Sequence, residues 1–335
     1  MQGEIPKSEK LEEKVFSISN EEMFHSIALE VYHFQYSNNS IYRDYCNLLQ
    51  KTPATVSEVN QIPFLPISFF KTHQVKTTTF DSQLIFQSSG TTGSVASTHY
   101  VKNPELYRES FRRCFKHFYG PVEQYCILGL LPSYLERGQS SLVYMVNDMI
   151  ENTGQIDSGF YLYELEALYK TLQEHKKIGQ KTILIGVTYA LLDFAAQFPL
   201  LLTNTIVMET GGMKGRKKEL TRTELYTELK KAFGVAEIHS EYGMTELLSQ
   251  AYAINGFFRT PAWMKILLRD ETDPLTLISE PGSASGAINV IDLANLYSCS
   301  FIATEDIGKT HAEGYFEVLG RMDNSDIRGC SLLSF

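Results

Sequence analysis

The sequence predicts an α/β fold built around mostly parallel sheets flanked by helices. Three observations lead there. Short apolar runs at 84–87, 125–131, 182–186 and 205–208 read as buried strands. Stretches of about 10–15 residues with helical periodicity separate them. The 335 residues, 43% hydrophobic and 12% aromatic, are enough to bury a large core. Successive parallel strands need crossover helices, so the alternation implies βαβ units.

Residues 1–60 are expected to form a helical region packing on the core, because Met23, Phe24, Ile27, Ala28, Val31 and Phe34 recur at helical spacing. The run 62–71 is too rich in proline and aromatics for a helix interior and is expected to be extended. The α/β core is assigned to 61–260. Its helices are expected at 105–118, 140–150, 162–177, 190–198 and 219–233, with a strand at 236–239 entering a Tyr-Gly turn. Over 261–335 the pattern changes to short strands at 265–269, 287–291, 300–303 and 316–319, a smaller β-rich subdomain ending in a short cysteine-containing tail.

A net charge of −9 disfavours a nucleic-acid-binding face. No run of 18 apolar residues provides a membrane span, and residues 1–14 lack the apolar segment of a secretory signal. Cys46, Cys114, Cys126, Cys299 and Cys330 are scattered, without paired or zinc-ligand spacing. The expectation is a cytoplasmic protein with reduced thiols. His239, at a strand end, reads as a core histidine. A serine hydrolase is disfavoured, since no G-x-S-x-G occurs.

The sharpest local feature is Ser88-Ser89-Gly90-Thr91-Thr92-Gly93-Ser94, directly after the strand at 84–87. Glycines let backbone N–H groups turn inward and hydroxyls add donors without bulk, a composition suited to an anion. The other reading is a Ser/Thr-rich turn with no ligand. The segment lacks the Gly-Lys-Ser/Thr ending of a Walker A loop and the spacing of a dinucleotide fingerprint.

This segment resembles the phosphate loop of the adenylate-forming (ANL) superfamily, which includes acyl-CoA synthetases, luciferases and aryl-acid ligases. Where that loop continues to Pro and Lys, this chain has Val95 and Ala96, so the loop lysine is missing. Further elements follow in the family's order. Glu241-Tyr242-Gly243-Met244-Thr245-Glu246 resembles the Tyr-Gly-x-Thr-Glu segment, which implies Tyr242 on adenine, Thr245 on the α-phosphate and Glu246 on Mg²⁺. Gly211, Gly212 and Met213 resemble the loop walling the adenine and acyl pocket. The basic residues after it, Lys214, Arg216, Lys217 and Lys218, read either as a polyphosphate-steering patch or as a solvated helix start. Asp306 stands where the family holds the ribose hydroxyls, and Arg321 where its Gly-Arg element supplies a ribose or phosphate ligand.

Most of these enzymes continue into a mobile C-terminal domain with a catalytic lysine, and that domain is expected to be absent here. Residues 63–72, Leu131 with the following 132–138, and Arg328-Gly329-Cys330-Ser331-Leu332 resemble the acyl-protein synthetases of the LuxE type (fatty acid–protein ligases). The resemblance implies an acid–thiol ligase: ATP and Mg²⁺ activate a carboxylic, expectedly fatty, acid as acyl-adenylate. Cys330 then takes the acyl group and passes it to a partner such as an acyl reductase or carrier protein. Tyr134 and Arg137 are the candidates for orienting the substrate carboxylate. Two alternatives remain open at this point: a ligase loading CoA or a carrier protein without Cys330, and a non-catalytic nucleotide-binding relative.

Overall fold

The computed structural model describes residues 7–88, 95–131, 139–211, 220–278, 282 and 284–322. Helices start where their caps dictate. Asn20 accepts from the Met23 N–H (2.9 Å) and Asn39 from the Tyr42 N–H (3.1 Å), so the chain forms the helix Glu21–Asn38, breaks for one residue and resumes at Ser40–Leu48. Asn103 followed by Pro104 starts Pro104–Tyr119, and a reciprocal Thr221–Glu224 capping box starts Arg222–Phe233.

In chain order the strands are β1 (Leu65–Pro66), β2 (Leu84–Gln87), β3 (Thr98–Val101), β4 (Cys126–Leu130) and β5 (Gly159–Phe160). Next come β6 (Thr182–Val187), β7 (Thr205–Thr210), β8 (His239–Tyr242), β9 (Ala251–Ile254) and β10 (Phe257–Arg259). The last five are β11 (Met264–Arg269), β12 (Leu277–Ile278), β13 (Gly286–Asp292), β14 (Phe301–Thr310) and β15 (Phe316–Arg321). Thirteen of them form one sheet in the order β12-β11-β13-β14-β15-β10-β9-β8-β7-β6-β4-β5, with β1 added on β14, while β2 and β3 pair by themselves.

The run β5-β4-β6-β7-β8 is parallel. Its central strands β4 and β6 are buried along their whole length, as expected when helices cover both faces. From β8 the sheet continues antiparallel through β9, β10, β15, β14, β13, β11 and β12. The fold is therefore α/β, a helix-flanked parallel sheet joined to a C-terminal β-rich region. The N-terminal helices dock on that region through a buried amide. Gln35 donates to the carbonyls of Asn295 and Leu296 (both 3.0 Å) and accepts from the Ser300 N–H (2.9 Å). No helix among the described residues is long and apolar enough to cross a membrane.

Three expectations are corrected. The strand expected at 236–239 lies at His239–Tyr242. Its polar residues hide it from a hydropathy reading, but they are satisfied internally: the Ser240 hydroxyl meets Tyr226 Oη at 2.6 Å and Glu241 accepts from Thr210 Oγ1 at 2.5 Å. The run expected to be extended over 62–71 contains the helical turn Phe69–Thr72, closed by His73 N–H donating to the Phe69 carbonyl at 2.8 Å. Its prolines precede the turn and so do not block it. The strand expected at 300–303 runs from Phe301 to Thr310: β13 pairs with Phe301–Ala303 and again with Ile307 and Gly308 across an irregularity at 304–306, and β15 pairs from Asp306 onward.

Candidate active site

In an open α/β sheet, ligands bind beyond the carboxyl ends of the parallel strands. Here β7 ends in Glu209 and Thr210 and β8 in Glu241 and Tyr242, four polar or aromatic side chains side by side, with Thr210 paired to Glu241 in register. All four are buried. Thr188, starting the helix after β6, donates to both Glu209 (3.2 Å) and the Gly211 carbonyl (2.7 Å). Burial pushes the Glu241 carboxyl up to about 7, opposed by the Thr210 hydrogen bond and reinforced by Glu209, itself raised by burial. The chain passes Glu241 so closely that a Cβ on Gly243 would sit 2.5 Å from its Oε1, so a larger residue there would displace the Glu241 carboxyl.

Tyr242 donates from its hydroxyl to Asp306 Oδ2 (2.9 Å), and its ring rests against Phe258 and Phe316, each centroid 5.8 Å away. Asp306 lies opposite Arg321 in the β14–β15 ladder, with Arg321 Nε 3.3 Å from Asp306 Oδ1. Burial raises the Asp306 carboxyl, while Arg321 and Tyr242 act against that rise. Arg321 is itself 59% exposed, so this ion pair faces solvent on one side.

The second half of the cluster is the turn after β8. Glu246 is 5% exposed, its carboxyl hydrogen-bonded by Ser97. Burial raises its pKa; Ser97, Arg321 and Lys71 oppose the rise. Ser97 and Ser88 close the mouth of the β2–β3 hairpin: Ser88 N–H donates to the Ser97 carbonyl (3.0 Å) and Ser97 N–H to Ser88 Oγ (2.9 Å). The base of the Ser/Gly/Thr segment is thus bonded to Glu246 through one serine. Thr245 is half-buried, and its hydroxyl makes no hydrogen bond among the described residues.

Two residues that the sequence reading did not single out hold this turn. His99 on β3 donates from Nδ1 to the Thr245 carbonyl at 2.8 Å, and Asn295 donates to the carbonyls of Glu246 (2.7 Å) and Cys299 (2.9 Å). Burial pushes the His99 imidazole down to about 4, so the ring is neutral near pH 7. Its Nε2 lies within hydrogen-bond reach of Asn295 Oδ1 at 3.1 Å, a contact that opposes the lowering. Only the pattern of a histidine shortly after the hydroxyl-rich loop could have flagged His99. Asn295 carries no local signal. Replacing Asn295 with alanine leaves two buried carbonyls unpaired and is expected to cost about 2–4 kcal/mol, measurable by urea unfolding.

Of the sequence-predicted site residues, Ser88, Gly211, Tyr242, Gly243, Met244, Thr245, Glu246, Asp306 and Arg321 are described. Ser89, Gly90, Thr91, Thr92, Gly93, Ser94, Tyr134, Arg137, Gly212, Met213 and Cys330 lie outside the described residues, as do Lys214, Arg216, Lys217 and Lys218. His239 is half-buried and hydrogen-bonded to Tyr119 Oη at 3.1 Å. A groove of about 320 Å³ along Arg112, Phe115, Asp148 and Met149 shares no residue with the cluster. Arg112 there bridges two helices through a bidentate 2.7 Å pair with Asp148.

This arrangement can be set against known proteins. The family model described as "Acyl-protein synthetase, LuxE" matches residues 10–334. This chain belongs to that family. No curated protein sequence matches it significantly. Among solved structures it is similar to ATP-bound MatB from Rhodopseudomonas palustris (TM-score 0.54, 16% identity, 71% of this chain and 47% of that one). It is also similar to a 2-hydroxyisobutyryl-CoA ligase in the postadenylation state, in complex with R3-HIB-AMP (TM-score 0.61, 8% identity, 90% of this chain and 68% of that one). The chain spans about half the length of MatB, at 47%. At these identities the likeness is one of fold.

Among the described residues no group of three or more His, Cys, Asp or Glu could cage a metal ion. One buried carboxylate is nonetheless what Mg²⁺ ordinarily takes from a protein when the remaining ligands are phosphate oxygens and water. Glu246 fits that role by its oxygen donors and its place.

Proposed function

We propose that this protein activates a carboxylic acid with ATP and carries the acyl group on Cys330 to a protein acceptor. A fatty acid is the substrate class that the LuxE resemblance favours. One observation carries the reading: residues from the start of the β3 segment, the end of β8 and the turn after it, β14 and β15 form one polar cluster at the carboxyl edge of the sheet. It joins Ser97 to Glu246 and Tyr242 to Asp306 and Arg321, with Arg321 also acting on Glu246.

In the first step a carboxylate oxygen of the acid attacks the α-phosphorus of ATP. The bridging P–O bond breaks and pyrophosphate leaves. Asp306 is suited to accept from the ribose hydroxyls, Arg321 to pair with phosphate or ribose oxygens, and Thr245 to donate its free hydroxyl to the α-phosphate. Tyr242 is the residue that would pack on adenine. Mg²⁺, held by Glu246 and phosphate oxygens, would neutralise charge on the triphosphate. In the second step a cysteine sulfur attacks the acyl carbonyl carbon. A C–S bond forms, the C–O bond to AMP breaks and the thiol proton passes to solvent.

The identity of that sulfur is supported by elimination. Cys46, Cys114, Cys126 and Cys299 are buried free thiols. Burial raises the pKa of each, that of Cys46 to about 12, which suppresses the nucleophilic thiolate. Cys330 is the remaining one of the five.

The test is pyrophosphate exchange over a panel of fatty and aromatic acids, followed by intact mass of wild type and Cys330→Ala. Acid-dependent exchange is expected in both. A hydroxylamine-labile acyl mass is expected on the wild type alone. Exchange without any mass shift would move the acceptor to CoA or a carrier protein. No exchange with any acid would leave a nucleotide-binding relative.

A further inference from the structure

The cluster is acidic where the proposed substrate is most anionic. Glu209, Glu241, Glu246 and Asp306 are all buried at its edge, and Arg321 is already paired with Asp306 at 3.3 Å. The stretch from Ser88 to Tyr100 contains no Lys or Arg. The next lysine, Lys102, sits over the Tyr297 ring at 3.9 Å, and Lys76 sits over Tyr100 at 4.7 Å. Beside the Mg²⁺ that Glu246 would hold, a triphosphate next to these carboxyls is favoured by a further cation.

Among the described residues, Lys71 meets that need. It is exposed and has no ion-pair partner among the described residues. Its mount is rigid. β1 pairs with β14 at Leu65↔Ile302 and Pro66↔Ala303, and Ile67 N–H extends that contact to the Ala303 carbonyl at 2.9 Å, three residues before Asp306. The helical turn that follows seats Phe70, 1% exposed, edge-on to His99 with centroids 5.9 Å apart. His99 in turn grips the Thr245 carbonyl. Lys71 therefore projects from a turn braced on both the Asp306 strand and the Thr245–Glu246 turn. Its charge acts on Glu246 in the same sense as that of Arg321.

We propose that Lys71 is the cation that binds the terminal phosphates of ATP at this site. The assignment rests on the proposed adenylating function. A lysine ammonium is a compact point charge with three donors, suited to phosphate oxygens that change position as pyrophosphate departs. It would also stabilise the charge that builds on the leaving group.

Calorimetric titration of wild type, Lys71→Ala and Lys71→Arg with ATP, AMP and adenosine in the presence of Mg²⁺ tests the assignment. Because the side chain is exposed, the alanine variant is expected to keep the wild-type melting temperature. Its ATP affinity is expected to fall at least about tenfold, AMP affinity less and adenosine affinity not at all, with arginine restoring most of the loss. If the wild type binds ATP and the alanine variant binds it equally well, the assignment to Lys71 is wrong while the adenylating function stands. An equal loss for all three ligands also overturns it, since that indicates a structural effect. A wild type without affinity for ATP overturns both readings together.

Discussion

Glu246→Gln is expected to lower acid-dependent pyrophosphate exchange about 100-fold or more while leaving the fold intact. The argument starts from its surroundings. The side chain is 5% exposed, takes a hydrogen bond from Ser97, and lies in the fields of Arg321 and Lys71. Glutamine keeps the shape and an oxygen acceptor for Ser97 but removes the negative charge that a hard cation requires. Loss of one preorganised electrostatic contact to the reacting phosphates is worth roughly 2.7–4 kcal/mol in the barrier, hence the two orders of magnitude. The melting temperature should be unchanged or slightly higher, because burial already disfavours the ionised carboxyl. Exchange within about threefold of wild type would remove Glu246 from the reaction. Parallel loss of exchange and of cooperative unfolding would make its role structural.

Glu241→Gln is expected to change stability and its pH dependence rather than chemistry alone. The Glu241 carboxyl is buried beside Glu209 and rises from 4.5 to about 7, burial being the larger cause. The folded state thus binds the proton more tightly than the unfolded state. Stability from this group is complete below about 4.5 and is lost as pH rises through about 7. The difference from 4.5 to about 7 is on the order of 3 kcal/mol, from about 1.4 kcal/mol per pH unit. Asp292, raised by burial to about 6, adds a loss of the same sign over a lower range. Urea unfolding at about pH 5 and about pH 8 should therefore show the wild type weakening with pH. Glutamine, which can still accept from Thr210 Oγ1, should weaken less and be the more stable protein at the higher pH. Parallel pH profiles for the two proteins would mean that Glu241 is ionised in the fold, with a cation or water compensating it.

Legibility in the sequence follows the range of the interaction. Helices with asparagine or threonine caps and apolar strands such as Thr182–Val187 announce themselves, because their signals lie within a few neighbouring residues. The bounds of β8 do not, since His-Ser-Glu-Tyr carries no apolar run and is buried only when Thr210 and Tyr226 meet its polar groups, so the strand expected at 236–239 lies three residues later. Lys71 lies within the family-like run 63–72, but nothing local marks it for phosphate. His99 and Asn295 went unmarked for the same reason: their partners are 146 and 49 residues away.

By itself the sequence determined the fold class and the local chemistry of each motif. Both follow from periodicity and from residue types that stand side by side: glycines and hydroxyls in one loop, an aromatic and a carboxylate in one turn. Only the tertiary structure decided which of those residues stand together. Strand register sets Asp306 opposite Arg321 and Thr210 opposite Glu241, and it carries the turn bearing Lys71 onto β14. It also decided the state of the carboxyls at the sheet edge. A charge is costly or useful according to the water and partners that folding leaves around it, and neither is written in the order of residues along the chain.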